Sequence, residues 1–165
     1  MGISQTIFST TLKIPVKQDD LETVEVYFSP QGNCQNEIIQ ELEEARKTVD
    51  LTMYTFTSHE LCNELIKLKQ KGVNIRVYCD KSMKTAKYSQ VNDLSNNEIE
   101  VRFDNHSGLM HNKFAVIDDK TVITGSYNWT KGAENKNDEN IIIIHNQDVA
   151  RIYSNKFNEL WSQSC

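Results

Sequence analysis

The sequence predicts an α/β fold, a mixed β-sheet with helices on both faces. Three observations lead there. Apolar, β-prone runs alternate with amphipathic helical periods from Val24 to Phe103. Two strand-like runs, Phe114 to Ile117 and Thr121 to Thr124, are separated by a few polar residues, as in a hairpin. Ile141 to Ile144 is an unbroken run of isoleucine, the composition of a central strand covered on both faces. Alternating units followed by a hairpin and one more strand make an α-β-α sandwich.

Residues 1–23 are polar and irregular and read as an N-terminal extension; the domain is expected over 24–165. Val24 to Phe28 alternates as a first strand, and Ser29-Pro30-Gln31-Gly32 turns the chain. Asn33 is placed to cap a helix whose stripe is Ile38, Ile39, Leu42 and Ala45. Val49 to Thr55 is the second strand. Thr57-Ser58-His59-Glu60 has the form of a capping box, and the helix it opens ends at Gly72. Val73 to Cys79 is the third strand. A weaker helix is expected from Lys81 to Leu94, then a short strand from Ile99 to Phe103. After the hairpin comes the isoleucine strand, then a helix capped by Asp148 with Val149, Ile152, Tyr153, Phe157, Leu160 and Trp161 on one face.

A chain of 165 residues with 38% hydrophobic and 25% charged content fits one soluble domain. No apolar run reaches the roughly 20 residues that span a bilayer, so no stable membrane association is expected. The start lacks a secretory pattern, and the four cysteines show no metal-site spacing, so the chain reads as cytoplasmic. The net charge of −5 excludes a generally basic nucleic-acid binder, so any phosphate surface must be a local patch. Lys81, Lys84, Lys87 and Lys131, with Lys136 beyond, follow predicted strand ends and are the candidate nucleic-acid contacts.

The chemistry-bearing stretch is H-x-K-x4-D-x6-G-S-x-N, from His111 to Asn128. With a two-residue turn at Asp119-Lys120, Lys113 faces Ser126 and His111 faces Asn128, about 5 Å apart. Strand alternation puts His111 and Lys113 on one face. A nucleophile or base, a cation and two neutral hydrogen-bonding groups then converge, a set suited to a phosphate. Asp118 belongs to the pattern and is counted with the catalytic candidates. Seven strand residues would put it roughly 23 Å from His111, which favours pinning the turn. Glu139, at the mouth of the isoleucine strand, is placed to hold the His111 ring. Gly125 suits a close approach of backbone to a ligand. His59 and His106 read as solvent-facing, and Trp129 as a buried aromatic.

These residues resemble the HKD signature of the phospholipase D superfamily, with every signature position filled. Phe28-Ser29-Pro30-Gln31-Gly32 and Tyr54-Thr55-Phe56-Thr57-Ser58 further resemble its small single-motif endonucleases. The likeness spans about Val24 to Trp161. It implies phosphodiester chemistry, and it aligns Glu139 with an acidic residue that hydrogen-bonds the histidine.

The expected reaction is metal-independent and cofactor-free. His111 attacks phosphorus to give a phosphohistidine, while Lys113, Ser126 and Asn128 hold the phosphate oxygens. One histidine cannot also protonate the leaving oxygen in the same step. The superfamily usually carries two HKD copies and this chain has one, so a homodimer with the site at the two-fold axis is expected. The leading function is a non-specific endonuclease on DNA or RNA. The alternatives are a phospholipase or cardiolipin hydrolase and a non-catalytic nucleic-acid-binding module.

Overall fold

The computed structural model describes residues 23–164, so the expected N-terminal extension lies outside the described residues apart from Thr23. The elements are β1 (Thr23–Ser29), α1 (Cys34–Glu43), β2 (Thr48–Met53), α2 (His59–Gln70), β3 (Asn74–Cys79), a 3-10 turn (Lys81–Lys84), α3 (Val91–Asn96), β4 (Glu100–Phe103), β5 (Phe114–Ile117), β6 (Thr121–Gly125), α4 (Lys131–Asn135), β7 (Glu139–His145) and α5 (Gln147–Ser162). Seven strands form one sheet in the order β1-β7-β6-β5-β2-β3-β4. The pairs β2–β3 and β3–β4 are parallel, and the others are antiparallel. This is the mixed sheet expected from the sequence.

Two apolar clusters cover the sheet. Ile38 and Leu42 of α1 and Leu61, Leu65 and Leu68 of α2 pack with Leu51, Val77 and Ile141 on one face. Phe157, Leu160 and Trp161 of α5 pack with Tyr78, Phe114 and Val122 on the other. Arg76 ties α5 down by stacking on Phe157 and Trp161 while gripping Asp50 through two hydrogen bonds. The helix α2 ends as expected, with Gly72 in the left-handed region at φ 91°.

Local chemistry departs from expectation at six places. Asn33 precedes α1 at φ 60° without a side-chain cap bond; its Oδ1 accepts from Asn36 instead. Ser58, not Thr57, caps α2 by accepting from the Leu61 amide, and Asn146, not Asp148, caps α5 by accepting from Val149. The 81–94 segment is not one helix: Asp80 caps a single 3-10 turn, and the Gln90 amide then bonds the Phe56 carbonyl, which pulls the chain aside before α3. The isoleucine strand β7 is one strand from the edge, so Ile141 and Ile143 are buried while Ile142 and Ile144 are only half-buried.

The hairpin register is the sixth departure. Ile117 pairs with Thr121 and Phe114 with Thr124, one residue off the expected pairing. Asp118 and Asp119 take φ of 53° and 54°, the left-handed pair that a tight hairpin turn needs, and the Lys120 amide bonds the Ile117 carbonyl. The turn therefore sits at Asp118-Asp119, where aspartate tolerates positive φ, and not at Asp119-Lys120.

Candidate active site

The carboxyl ends of β2, β3, β4 and β6 and the amino ends of β5 and β7 meet at one end of the sheet, as the pairings require. Each signature residue except Asp118 lies there, just outside a strand or, for Gly125, at the last residue of β6. His111 and Lys113 were expected inside β5, but β5 begins at Phe114. Freed from the ladder, the two residues are placed by side-chain contacts. His111 is exposed, whereas Lys113 is only 9% accessible.

Lys113 Nζ lies 3.1 Å from His111 Nδ1 and donates to the His111 carbonyl at 3.0 Å. Tyr54, the residue after β2, closes this group. Its ring sits 4.5 Å from the His111 ring, tilted by 49°, and Lys113 Nζ lies 5.6 Å from its centroid. Burial holds the Lys113 ammonium below the ordinary lysine range, while the Glu139 charge pulls it back up. Sequence reasoning gave Tyr54 no role. Its position at the carboxyl end of a central strand was the signal.

Ser126 leaves β6 and donates its hydroxyl to Glu139 Oε2, and the same hydroxyl accepts from the Asn140 amide at 3.2 Å. Glu139 Oε1 accepts from Asn137 at 3.1 Å. The expected Glu139–His111 bond is not formed among the described residues; the carboxylate is turned toward Ser126 and Asn137 on the β6–β7 side. Asn128 Oδ1 accepts from the Thr55 amide at 3.1 Å, which leaves its Nδ2 end as the donor for a ligand. Lys113 and Ser126 are not ladder partners, nor are His111 and Asn128, since the register is displaced.

Gly125 serves the backbone rather than a ligand. At φ 154° an added Cβ would stand 2.1 Å from the Asn140 carbonyl oxygen, so β7 itself demands the glycine. Trp129 is buried, edge-on to Phe56 at 5.2 Å, as expected.

Asp118 is at the far end of β5. Its carboxylate accepts from the amides of Arg46, Lys47 and Thr48, each at 2.8 Å. It locks the α1–β2 connection to the hairpin and takes no part in the group around His111. The lysine series is dispersed, because its helix does not exist. Lys81 Nζ bonds the carbonyl of His106, Lys84 lies over Phe103, Lys87 lies over Tyr88, and Lys131 pairs with Glu60. Lys81 is thus a clamp on the loop that leads into His111. Asp104 accepts from the Lys81 amide, and Asp80 accepts from the Met110 amide, next to His111. His106 is exposed and offers its Nδ1 to the Gly108 amide, also within this loop.

A cavity of about 340 Å³ opens beside His111 and Lys113, walled on the far side by Ile152, Tyr153 and Lys156 of α5. The helix α5 was expected only as core packing.

Comparison with known proteins settles the family. The sequence profile described as "Cardiolipin synthase, PLD-like domain" matches residues 38–161. This chain belongs to the phospholipase D superfamily. Among its relatives, a phospholipase D of Rickettsia typhi is 35% identical over 130 residues, 79% of this chain and 64% of that protein. The human mitochondrial cardiolipin hydrolase is 36% identical over 126 residues, 76% of this chain and 50% of that protein. The chain therefore spans only part of the length of such relatives. Among solved structures, the phospholipase D family member Nuc of Salmonella typhimurium superposes with a TM-score of 0.82 at 29% identity, covering 87% of this chain and 96% of Nuc. NucT of Helicobacter pylori superposes at 0.81 with 22% identity, 86% of this chain and 97% of its own, a likeness of fold.

Proposed function

We propose that the protein is a metal-independent phosphodiesterase, an endonuclease on DNA or RNA, that works through a phosphohistidine at a site shared between two copies. The observation that carries this is the buried Lys113 ammonium 3.1 Å from the exposed His111 ring, at the end of the sheet where Ser126 and Asn128 also lie. An imidazole nitrogen attacks phosphorus, Lys113 neutralises the non-bridging oxygens, and the Asn128 amide donates to them as charge builds, joined by the Ser126 hydroxyl once its one proton turns from Glu139 to the phosphate. The bond to the leaving oxygen breaks as that oxygen takes a proton. Water then attacks the phosphohistidine and restores the ring.

The proton must come from a second acid. Within this chain Glu139 is already an acceptor for Ser126 and Asn137, which makes it a poor donor. His111 of the partner subunit supplies the matching group, and the two rings exchange roles between the steps. An apolar strip supports a second copy. Val24, Val26 and Phe28, at 51%, 50% and 64% exposure, alternate along β1, whose last residue pairs with Glu139. The donor set suits chemistry without a metal. A two-metal nuclease needs clustered carboxylates, whereas the groups gathered here are a histidine, a lysine, a serine, an asparagine and the single carboxylate of Glu139. The three-residue group with metal-ligand spacing, Glu25, Glu41 and His145, is at the opposite end of β7.

The lipid reading has its own support, from relatives bearing the names phospholipase D and mitochondrial cardiolipin hydrolase, and from Leu109, 60% exposed two residues before His111. Among the described residues no helix is long and apolar enough to cross a membrane. One experiment separates the readings. Purified protein in excess EDTA is given single- and double-stranded DNA, RNA, and cardiolipin or phosphatidylcholine vesicles. Cleavage of nucleic acid with intact vesicles is the expected result, and its loss in His111→Ala with retained binding excludes a mere binding module. Turnover that needs added Mg²⁺, or that is confined to the vesicles, overturns the proposal.

A further inference from the structure

We infer that the cavity between His111 and α5 is a subsite for one unpaired nucleobase flanking the scissile phosphate, so that the preferred substrate is single-stranded nucleic acid. This rests on the phosphodiesterase reading above and adds to it a substrate class and two residues, Tyr153 and Lys156.

The cavity joins two kinds of surface. Its inner end is formed by His111 and Lys113, the groups that meet the phosphate. Its outer wall is aromatic and aliphatic: Phe114 and Tyr153 meet edge-to-face with centroids 5.0 Å apart, and Ile152 lies beside them. A cation stands at its rim, since Lys156 is exposed and its partner is Glu159 at 3.1 Å on the same helix. That surface pair offers little resistance to exchange for a phosphate. A flat, largely apolar group next to one phosphate and close to a second anion is what such a wall accepts, and a base followed by the next phosphodiester has this form. At about 340 Å³ the space is at the small end of ligand cavities, which suits one ring system better than paired acyl chains. A base inside a duplex cannot enter without leaving its stack, so unpaired strands are favoured by the cost of unstacking.

The test compares kcat/KM for a short thymidine oligonucleotide, its duplex, and a small diester joining two abasic tetrahydrofuran units, which has the sugar–phosphate link but no base to stack. Parent protein, Tyr153→Ala and Lys156→Ala are assayed. Loss of one base stack is worth about tenfold. The ratio of single-strand to small-diester kcat/KM is therefore expected to fall about tenfold in Tyr153→Ala and severalfold in Lys156→Ala, with the change in KM. The surface variant Lys156→Ala keeps the test decisive if Tyr153→Ala, which also loses its packing on Phe114, does not fold. Ratios equal to the parent's in the folded variants overturn the inference. So does a parent that prefers the duplex, or a Tyr153-dependent hydrolysis of cardiolipin vesicles, which would mark an acyl pocket. Hydrolysis of the small diester with no cleavage of any nucleic acid overturns both the subsite and the nuclease reading while leaving phosphodiester chemistry in place.

Discussion

Tyr54 holds its ring 4.5 Å from that of His111, and the Lys113 ammonium stands over the same phenol ring at 5.6 Å. One aromatic side chain thus positions both the imidazole and the ammonium. Neither of those two lies in a regular strand, so the tyrosine replaces the order that a β-ladder would have supplied. Removing the ring in Tyr54→Ala is expected to lower kcat by about a hundredfold, the cost of a misplacement near 1 Å. Tyr54→Phe keeps the ring and should recover most of the rate. Equal losses in the two variants would point to the hydroxyl and sink the positioning role.

Lys113 and Glu139 are linked through charge. Burial pulls the ammonium below the usual lysine range, and the Glu139 carboxylate opposes this. Lys113 is useful while protonated, that is, below its pKa. Glu139→Gln removes the opposing charge but keeps an oxygen for the Ser126 hydroxyl. The folded-state pKa of Lys113 then falls further, and the alkaline limb of the kcat/KM profile is expected to move to lower pH. A limb that stays in place, measured against a small diester, would show that Lys113 does not set it.

Asp118 belongs to the signature and yet acts on stability. Burial opposes its ionisation, but the amides of Thr48, Arg46 and Lys47 outweigh this and hold the carboxyl below its ordinary range. A carboxylate with a depressed folded-state pKa contributes stability above its unfolded value of about 3.9 and loses it as pH falls through the folded value. Asp118→Asn tolerates the positive φ, removes the charge and turns one of the two acceptor oxygens into an NH2 that cannot accept from a backbone amide. It is expected to cost on the order of 2 kcal/mol at neutral pH, a fall in Tm of roughly 4–8 °C. The difference from the parent should shrink below about pH 4. A variant with parental Tm and a large loss of kcat would return Asp118 to the chemistry.

These cases show where the sequence was readable. Periodicity located the strands and the long helices because burial on one face imposes a pattern on the chain, as in α2 and α5. Residue types located His111, Lys113 and Ser126. What sequence could not resolve was pairing. One residue of register separates a turn at Asp118-Asp119 from one at Asp119-Lys120, and both pairs are polar. The Glu139 contact failed for a related reason: the Ser126 hydroxyl, released at the end of β6, reaches the carboxylate first. Capping was misassigned where neighbouring residues compete, as with Thr57 and Ser58. The partner of Tyr54 sits 57 positions away in the chain, beyond any local pattern, so only its place at a strand end pointed to the site.

The strip of Val24, Val26 and Phe28 carries the last prediction. Among the described residues β1 is an edge strand, and three alternating apolar side chains at half exposure or more are unusual on such an edge. If a second copy covers them, a charge there opposes association directly, because it is buried without a partner. Phe28→Asp and Val26→Asp are expected to shift the protein toward monomer in sedimentation and to lose cleavage in parallel, with rate recovering as protein concentration rises. A composite site, as proposed, makes a sharper demand. Dimers of parent and His111→Ala subunits hold a single imidazole and should be as inactive as the doubly substituted dimer, so that mixing in excess variant depresses activity as the square of the parental fraction. A linear fall, or full activity from the monomeric Phe28→Asp protein, would mean that one chain completes the chemistry alone.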